Sequence, residues 1–157
     1  MDKISTNRMV KIGIIVDDIE KAVEYYADLF NIPKPEVKTP KPKNTMPVEG
    51  NKPYTWYRGE YRTARCKTAV VGIEPIYIEL IEPLDEPSPW TEFKEKHGQG
   101  VHYMAFNIDD FKGHEELMEK KGMPIYHKTE KGKERYGYFE TASKLGITLE
   151  FKEIDKE

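Results

Sequence analysis

The sequence predicts an α+β protein built from two paired βαβββ modules, forming an open, barrel-like curved sheet around a cavity with the helices outside. Three observations carry this expectation. The chain repeats itself: Val10–Ile19 aligns without a gap on His102–Phe111, and Ile76–Glu82 aligns on Ile147–Glu153. In both copies a period-two alternation of apolar and polar residues switches to a 3.6-residue apolar stripe, the pattern of a strand followed by a helix. Three further strand-like runs follow each helix, and this order does not fit the βαββαβ order of a ferredoxin-like sandwich.

The first strand ends near Val16, where Asp17 or Asp18 can cap a helix whose stripe is Ile19, Ala22, Val23, Tyr26, Leu29 and Phe30. Pro33, Pro35, Pro40, Pro42, Pro47 and Pro53 then punctuate residues 33–53, which read as a long surface loop, either a lid or a spacer. An aromatic-rich segment, Tyr54 to Tyr61, leads to strands at Ala64–Val71 and Ile76–Glu82, joined by a turn at Gly72 to Pro75. Ser88 and Pro89 open a short helix that Gly98 stops. The second copy then reads as a strand at 101–108, a helix from about Asp110 to Lys121, and strands near Met123–Thr129, Tyr136–Glu140 and Gly146–Glu153. These boundaries give a first module over 8–84, a linker helix over 85–99 and a second module over 100–154.

The chain has 157 residues, enough for a core without covalent staples, and a net charge of -3 that offers no overall attraction to nucleic acid or acidic lipid. One cysteine excludes an internal disulfide, no apolar run reaches membrane-spanning length, and no apolar leader is evident. The expectation is a cytoplasmic protein without nucleic-acid or membrane partners.

Strand alternation puts Lys11, Glu79, Tyr103 and Glu150 on the face opposite Ile12/Ile14, Ile78/Leu80, Met104/Phe106 and Leu149/Phe151. The apolar set packs under the helices and the polar set lines what the sheet encloses. His102 falls on the helix side. Trp56 beside Arg58, Arg62 and Arg65 suits an anionic, partly flat ligand held by stacking and bidentate contacts; core or dimer interface is the alternative use of such residues. Cys66, placed across the hairpin from Ile81, reads as a small buried filler, and His127 reads either as a base or as a packed sheet histidine.

The segments VKIGIIVDDIEKAVEYYADLF, IYIELIEPL, GQGVHYMAFNIDDF and YFETASKLGITLEF resemble the vicinal oxygen chelate superfamily, the glyoxalase and bleomycin-resistance fold, and within it the methylmalonyl-CoA epimerase family. The resemblance implies a cavity that takes an acyl-CoA or another small anionic molecule, a homodimer, and an epimerase-type isomerase; a glyoxalase-like lyase fits less well. It also places the family's metal ligands on Lys11, Glu79, Tyr103 and Glu150. Both family histidines are replaced, so no metal is expected. If a hard cation is held at all, the carboxylates Glu79 and Glu150 would hold it. Catalysis would then fall to Glu79 or Glu150 as proton acceptor, with Lys11 and Tyr103 as donors to an enolate oxygen. The alternative is a metal-free sequestering module of the bleomycin-resistance type.

Overall fold

The computed structural model describes residues 1–41 and 49–156. Within the proline-rich stretch, Pro42, Lys43 and Pro47 lie outside the described residues. The described residues form β1 (Lys11–Ile15), α1 (Ile19–Phe30), β2 (Tyr54–Tyr57), β3 (Glu60–Tyr61), β4 (Cys66–Ile73), β5 (Ile76–Pro83), α2 (Pro89–His97), β6 (Gly100–Asn107), α3 (Phe111–Lys120), β7 (Ile125–Lys131), β8 (Glu134–Phe139), α4 (Ala142–Leu145) and β9 (Thr148–Ile154). The class is α+β with mixed pairing: β1 with β5 and β6 with β9 run parallel, whereas β2 with β3, β2 with β7, β4 with β5, β7 with β8 and β8 with β9 run antiparallel. No helix among the described residues is long and apolar enough to cross a membrane.

The chain divides into two compact units, and the division falls within β6, after His102. The smaller holds residues 11–41 and 64–102. Its strands run β1-β5-β4, and Lys38 continues the order: its N–H donates to the Thr68 carbonyl at 2.8 Å, and Thr68 N–H donates back at 3.0 Å. Ile19 and Val23 of α1 pack with Val16, Ala69, Val71 and Leu80, all nearly excluded from water. Burying such side chains contributes about 1.5–3 kcal/mol each. The predicted stripe holds for the first two turns only, because Leu29 and Phe30 are exposed. α2 starts as expected, with the Ser88 hydroxyl accepting from Thr91 N–H at 3.0 Å.

The larger unit holds residues 1–10, 49–63 and 103–156, with strand order β3-β2-β7-β8-β9-β6. Phe111 and Met118 of α3 pack on Ile108, Phe139, Leu149 and Phe151. Gly137 is required beneath the helix: a Cβ there would meet Ile125 Cδ1 at 2.5 Å and the Phe111 ring at 3.1 Å. The short α4 was not expected from the sequence.

The repeat is preserved down to individual hydrogen bonds. Lys11 is in register with Tyr77 and Gly13 with Glu79, as Tyr103 is with Thr148 and Ala105 with Glu150. Asp18 caps α1 through Lys21 N–H, and Asp110 caps α3 through Gly113 N–H. Glu82 accepts from Ile19 N–H at 3.0 Å, while Glu153 accepts from the N–H groups of Asp110 and Phe111. One expectation is corrected. Tyr54–Tyr61 does not supply the first of the three strands after α1, because β2 pairs with β7; Lys38 occupies that position beside β4. The partner was chosen by cross-strand contacts that local alternation does not reveal: Thr55 to Thr129 at 2.9 Å and the Tyr54 hydroxyl to Glu130 at 2.8 Å.

Gly137→Ala should destabilise the protein by about 1–3 kcal/mol through overpacking against Phe111, read by denaturant titration. A second expectation concerns His102, which is 4 % exposed with its ring 4.8 Å from Phe93. Burial lowers its pKa from 6.5 to about 4, against an upward pull from Glu92 and with a further downward one from His97. As pH falls, the unfolded chain takes up this proton first. The contribution is therefore whole above about pH 6.5 and is lost as pH falls towards 4, on the order of 2–3 kcal/mol. His102→Phe should flatten the stability profile in that window.

Candidate functional site

In the smaller unit, the face turned away from α1 carries Lys11, Gly13 and Ile15 on β1, Tyr77, Glu79 and Ile81 on β5, and Cys66, Thr68 and Val70 on β4. Lys11 Nζ lies 3.5 Å from Glu79 Oε1, with the two side chains 14 % and 24 % exposed. Tyr77 is in register with Lys11, and Val70 with Glu79; both are about half exposed, so a largely shielded ion pair is flanked by two accessible groups with apolar bodies. A carboxylate bearing a hydrocarbon body suits such a surface, through charge at one end and apolar contact beside it. Cys66 faces Pro83, and it is Thr68 that faces Ile81, two residues from the expected register. Burial pushes the Cys66 thiol up, and the Glu79 and Glu86 carboxylates add to this, so it stays protonated and works as a filler.

In the larger unit, the face turned away from α3 holds Tyr103 on β6, Glu150 on β9, Tyr136 and Tyr138 on β8 and His127 on β7. Glu150 is 4 % exposed, and it stands between Ala105 and Tyr138 in the ladders. Tyr103 and Tyr138 rings lie 5.0 Å apart, and His127 lies 5.1 Å from Tyr138. His127 Nε2 is 3.5 Å from the Tyr136 hydroxyl, and the Tyr126 hydroxyl is 3.3 Å from Thr148 Oγ1. This wall of phenol and imidazole groups around a carboxylate can donate, accept and relay protons. Sequence reasoning passed over Tyr126, Tyr136 and Tyr138. The signal was present: Tyr136-Gly137-Tyr138 alternates in phase with Glu150 once β8 is paired to β9.

The anion-binding candidates are dispersed. Arg58 lies 2.6 Å from Glu140 and its guanidinium stands over the Tyr126 and Tyr57 rings, Arg62 pairs with Glu60 at 3.2 Å, and Trp56 is in register with Lys128. Arg65 belongs to the other unit and pairs with Glu86.

A divalent metal fits these residues poorly. At Lys11 the chain offers an ammonium group where a ligand would be needed, and it already engages Glu79. Tyr103 offers a neutral phenol, a poor ligand for a divalent metal. Among the described residues, no group of three or more His, Cys, Asp or Glu side chains is arranged to hold a metal ion.

Comparison with known proteins finds that the family model described as the Glyoxalase/Bleomycin resistance protein/Dioxygenase superfamily matches residues 11–139. No protein of curated function matches the chain by sequence. Among solved structures, a hypothetical protein from Bacillus halodurans C-125 is similar with a TM-score of 0.64 and 20% identity, covering 98% of each chain. Methylmalonyl-CoA epimerase from Mycobacterium tuberculosis is similar at 0.63 and 17% identity, covering 99% of this chain and 93% of its own. A methylmalonyl-CoA epimerase in complex with methylmalonyl-CoA and ammonium is similar at 0.61 and 22% identity, covering 96% of each chain. At these identities the likeness is one of fold.

Because Lys11 and Glu79 are largely shielded, Lys11→Met should cost about 1–3 kcal/mol by leaving a carboxylate without its partner. Lys11→Met combined with Glu79→Gln should recover part of that loss, and a thermal denaturation cycle of the four proteins reads the coupling.

Proposed function

Since the chain belongs to the glyoxalase/bleomycin resistance protein/dioxygenase superfamily, we propose that it is an epimerase-type isomerase acting on an acyl-CoA or a related small carboxylate, without a divalent metal. The observation that carries this reading is the Lys11–Glu79 pair, flanked by Tyr77 and Val70 on the strand face turned away from α1. The reaction removes the proton from the carbon next to a carbonyl, holds the resulting enolate, and returns a proton to the opposite face of that carbon. Glu150 or Glu79 accepts the proton, and the Lys11 ammonium or the Tyr103 hydroxyl donates a hydrogen bond to the developing oxyanion. One such preorganised donor contributes about 3–4 kcal/mol to a transition state. An epimerase of the same fold is solved with methylmalonyl-CoA and ammonium, and Lys11 carries an ammonium group within the chain itself. A homodimer agrees with the exposed Tyr25, Leu29 and Phe30 of α1, and a cytoplasmic setting agrees with the single reduced cysteine.

A second reading, a metal-free binding module, is favoured by one observation. The carboxylate of Glu79 is already engaged by Lys11, which suits holding a ligand better than removing its proton.

The two readings part in one assay. Deuterium uptake from heavy water at the α-carbon of methylmalonyl-CoA is expected without added metal, falling about 100-fold or more in Glu150→Gln and in Lys11→Met. Exchange at the uncatalysed rate, with calorimetric binding of the thioester intact, would overturn the isomerase and leave the binding module.

A further inference from the structure

Residues 1–9 run as an irregular segment along the larger unit, and Ser5 ties them to α3. The tie is made to His114, a residue with no exposed surface and no part in the function proposed above. Its two ring nitrogens are matched to two backbone groups of opposite character. Nδ1 lies 2.9 Å from the Asp110 carbonyl oxygen, which can only accept, so Nδ1 carries the proton. Nε2 lies 3.1 Å from Ser5 N, which can only donate, so Nε2 must present its lone pair. Both bonds exist together in one neutral tautomer and in no other form of the ring.

We propose that residues 1–9 are a strap released by acid, with His114 as its latch. Protonation puts a second N–H on Nε2, aimed at the Ser5 N–H. A bond becomes a donor facing a donor on a ring that has no exposed surface of its own, and the strap leaves. The Nδ1 bond to Asp110 survives, so α3 keeps its place.

Charged groups lie on each element packed against the ring, and most of them are held by other partners. On α3 the Asp110 carboxylate accepts from Gly113 N–H at 3.0 Å, Glu115 pairs with Lys128 at 3.3 Å, and Lys112 and Glu116 are the remaining charges of the first two turns. On β9 the ring meets the edge of Phe151 at 5.4 Å, Glu153 is held by Arg135 and the α3 N-terminus, Lys152 pairs with Glu134, and Glu150 lies on the opposite face of the strand. The strap itself brings Asp2, Lys3 and Arg8, all exposed. None of these contacts replaces the acceptor that Ser5 loses. Beyond Ser5, the next backbone anchor is Val10 N–H to the Ala105 carbonyl at 2.9 Å.

The test is the protection factor of the Ser5 amide by NMR exchange, which normalises for the intrinsic rate at each pH. Between pH 7.5 and pH 5.5 it should fall. Val10 should keep its protection throughout. His114→Gln, whose side-chain oxygen accepts at any pH, should hold Ser5 protected at both values. Equal Ser5 protection at the two pH values, or an acid-induced loss that persists in His114→Gln, would overturn the latch.

Discussion

Each unit depends on a glutamate at the far end of a parallel strand reaching the first turn of its own helix. Glu82 on β5 receives the N–H of Ile19, and Glu153 on β9 receives those of Asp110 and Phe111. A helix start leaves backbone donors without partners and carries partial positive charge, so a carboxylate there answers both demands. The same contact fixes the helix across the sheet, because the glutamate is held in register by its strand. From that placement follow the seating of Ile19 and Phe111, the burial of the strand residues beneath them, and the turning of Lys11, Glu79, Tyr103 and Glu150 to the other face.

Much of this was legible in the sequence because it is local or periodic. Strand alternation decided which face each polar residue takes, and the two aspartates announced the helix starts. The repeat alignment, made on side-chain pattern alone, is matched by the register of the parallel ladders. Three features escaped, each for a physical reason. The partner of Tyr54–Tyr57 depends on contacts over seventy residues away, so an edge strand with sound propensity could be assigned to the wrong neighbour. Lys38 makes a single bridge, too short to leave a period in the sequence. Cys66 was misplaced by the length of the turn between β4 and β5, since a hairpin's register follows its turn.

The candidate site was half legible. Strand phase predicts that Lys11 and Glu79 share a face, and their ion pair follows from the need of a shielded charge for a partner. The tyrosine wall was not legible, because four of its members lie on strands whose mutual register no local pattern specifies. It is also where the copies differ most. Tyr103 and Thr148 stand in register in one unit, and Lys11 and Tyr77 stand at the same positions in the other. One scaffold thus sets an ammonium group near the glutamate of one copy and phenol rings near the equivalent glutamate of the other.

The hairpin β2–β3 makes the order of the chain differ from the order of the fold. The chain leaves the smaller unit after α1 and Lys38, lays Tyr54–Tyr61 along the edge of β7, and returns at β4. No such excursion interrupts the second copy, where α3 leads through β7 straight to β8. Division of the chain at the α2 linker would therefore yield one fragment whose hairpin has lost its partner strand and another in which the β7 edge is bare.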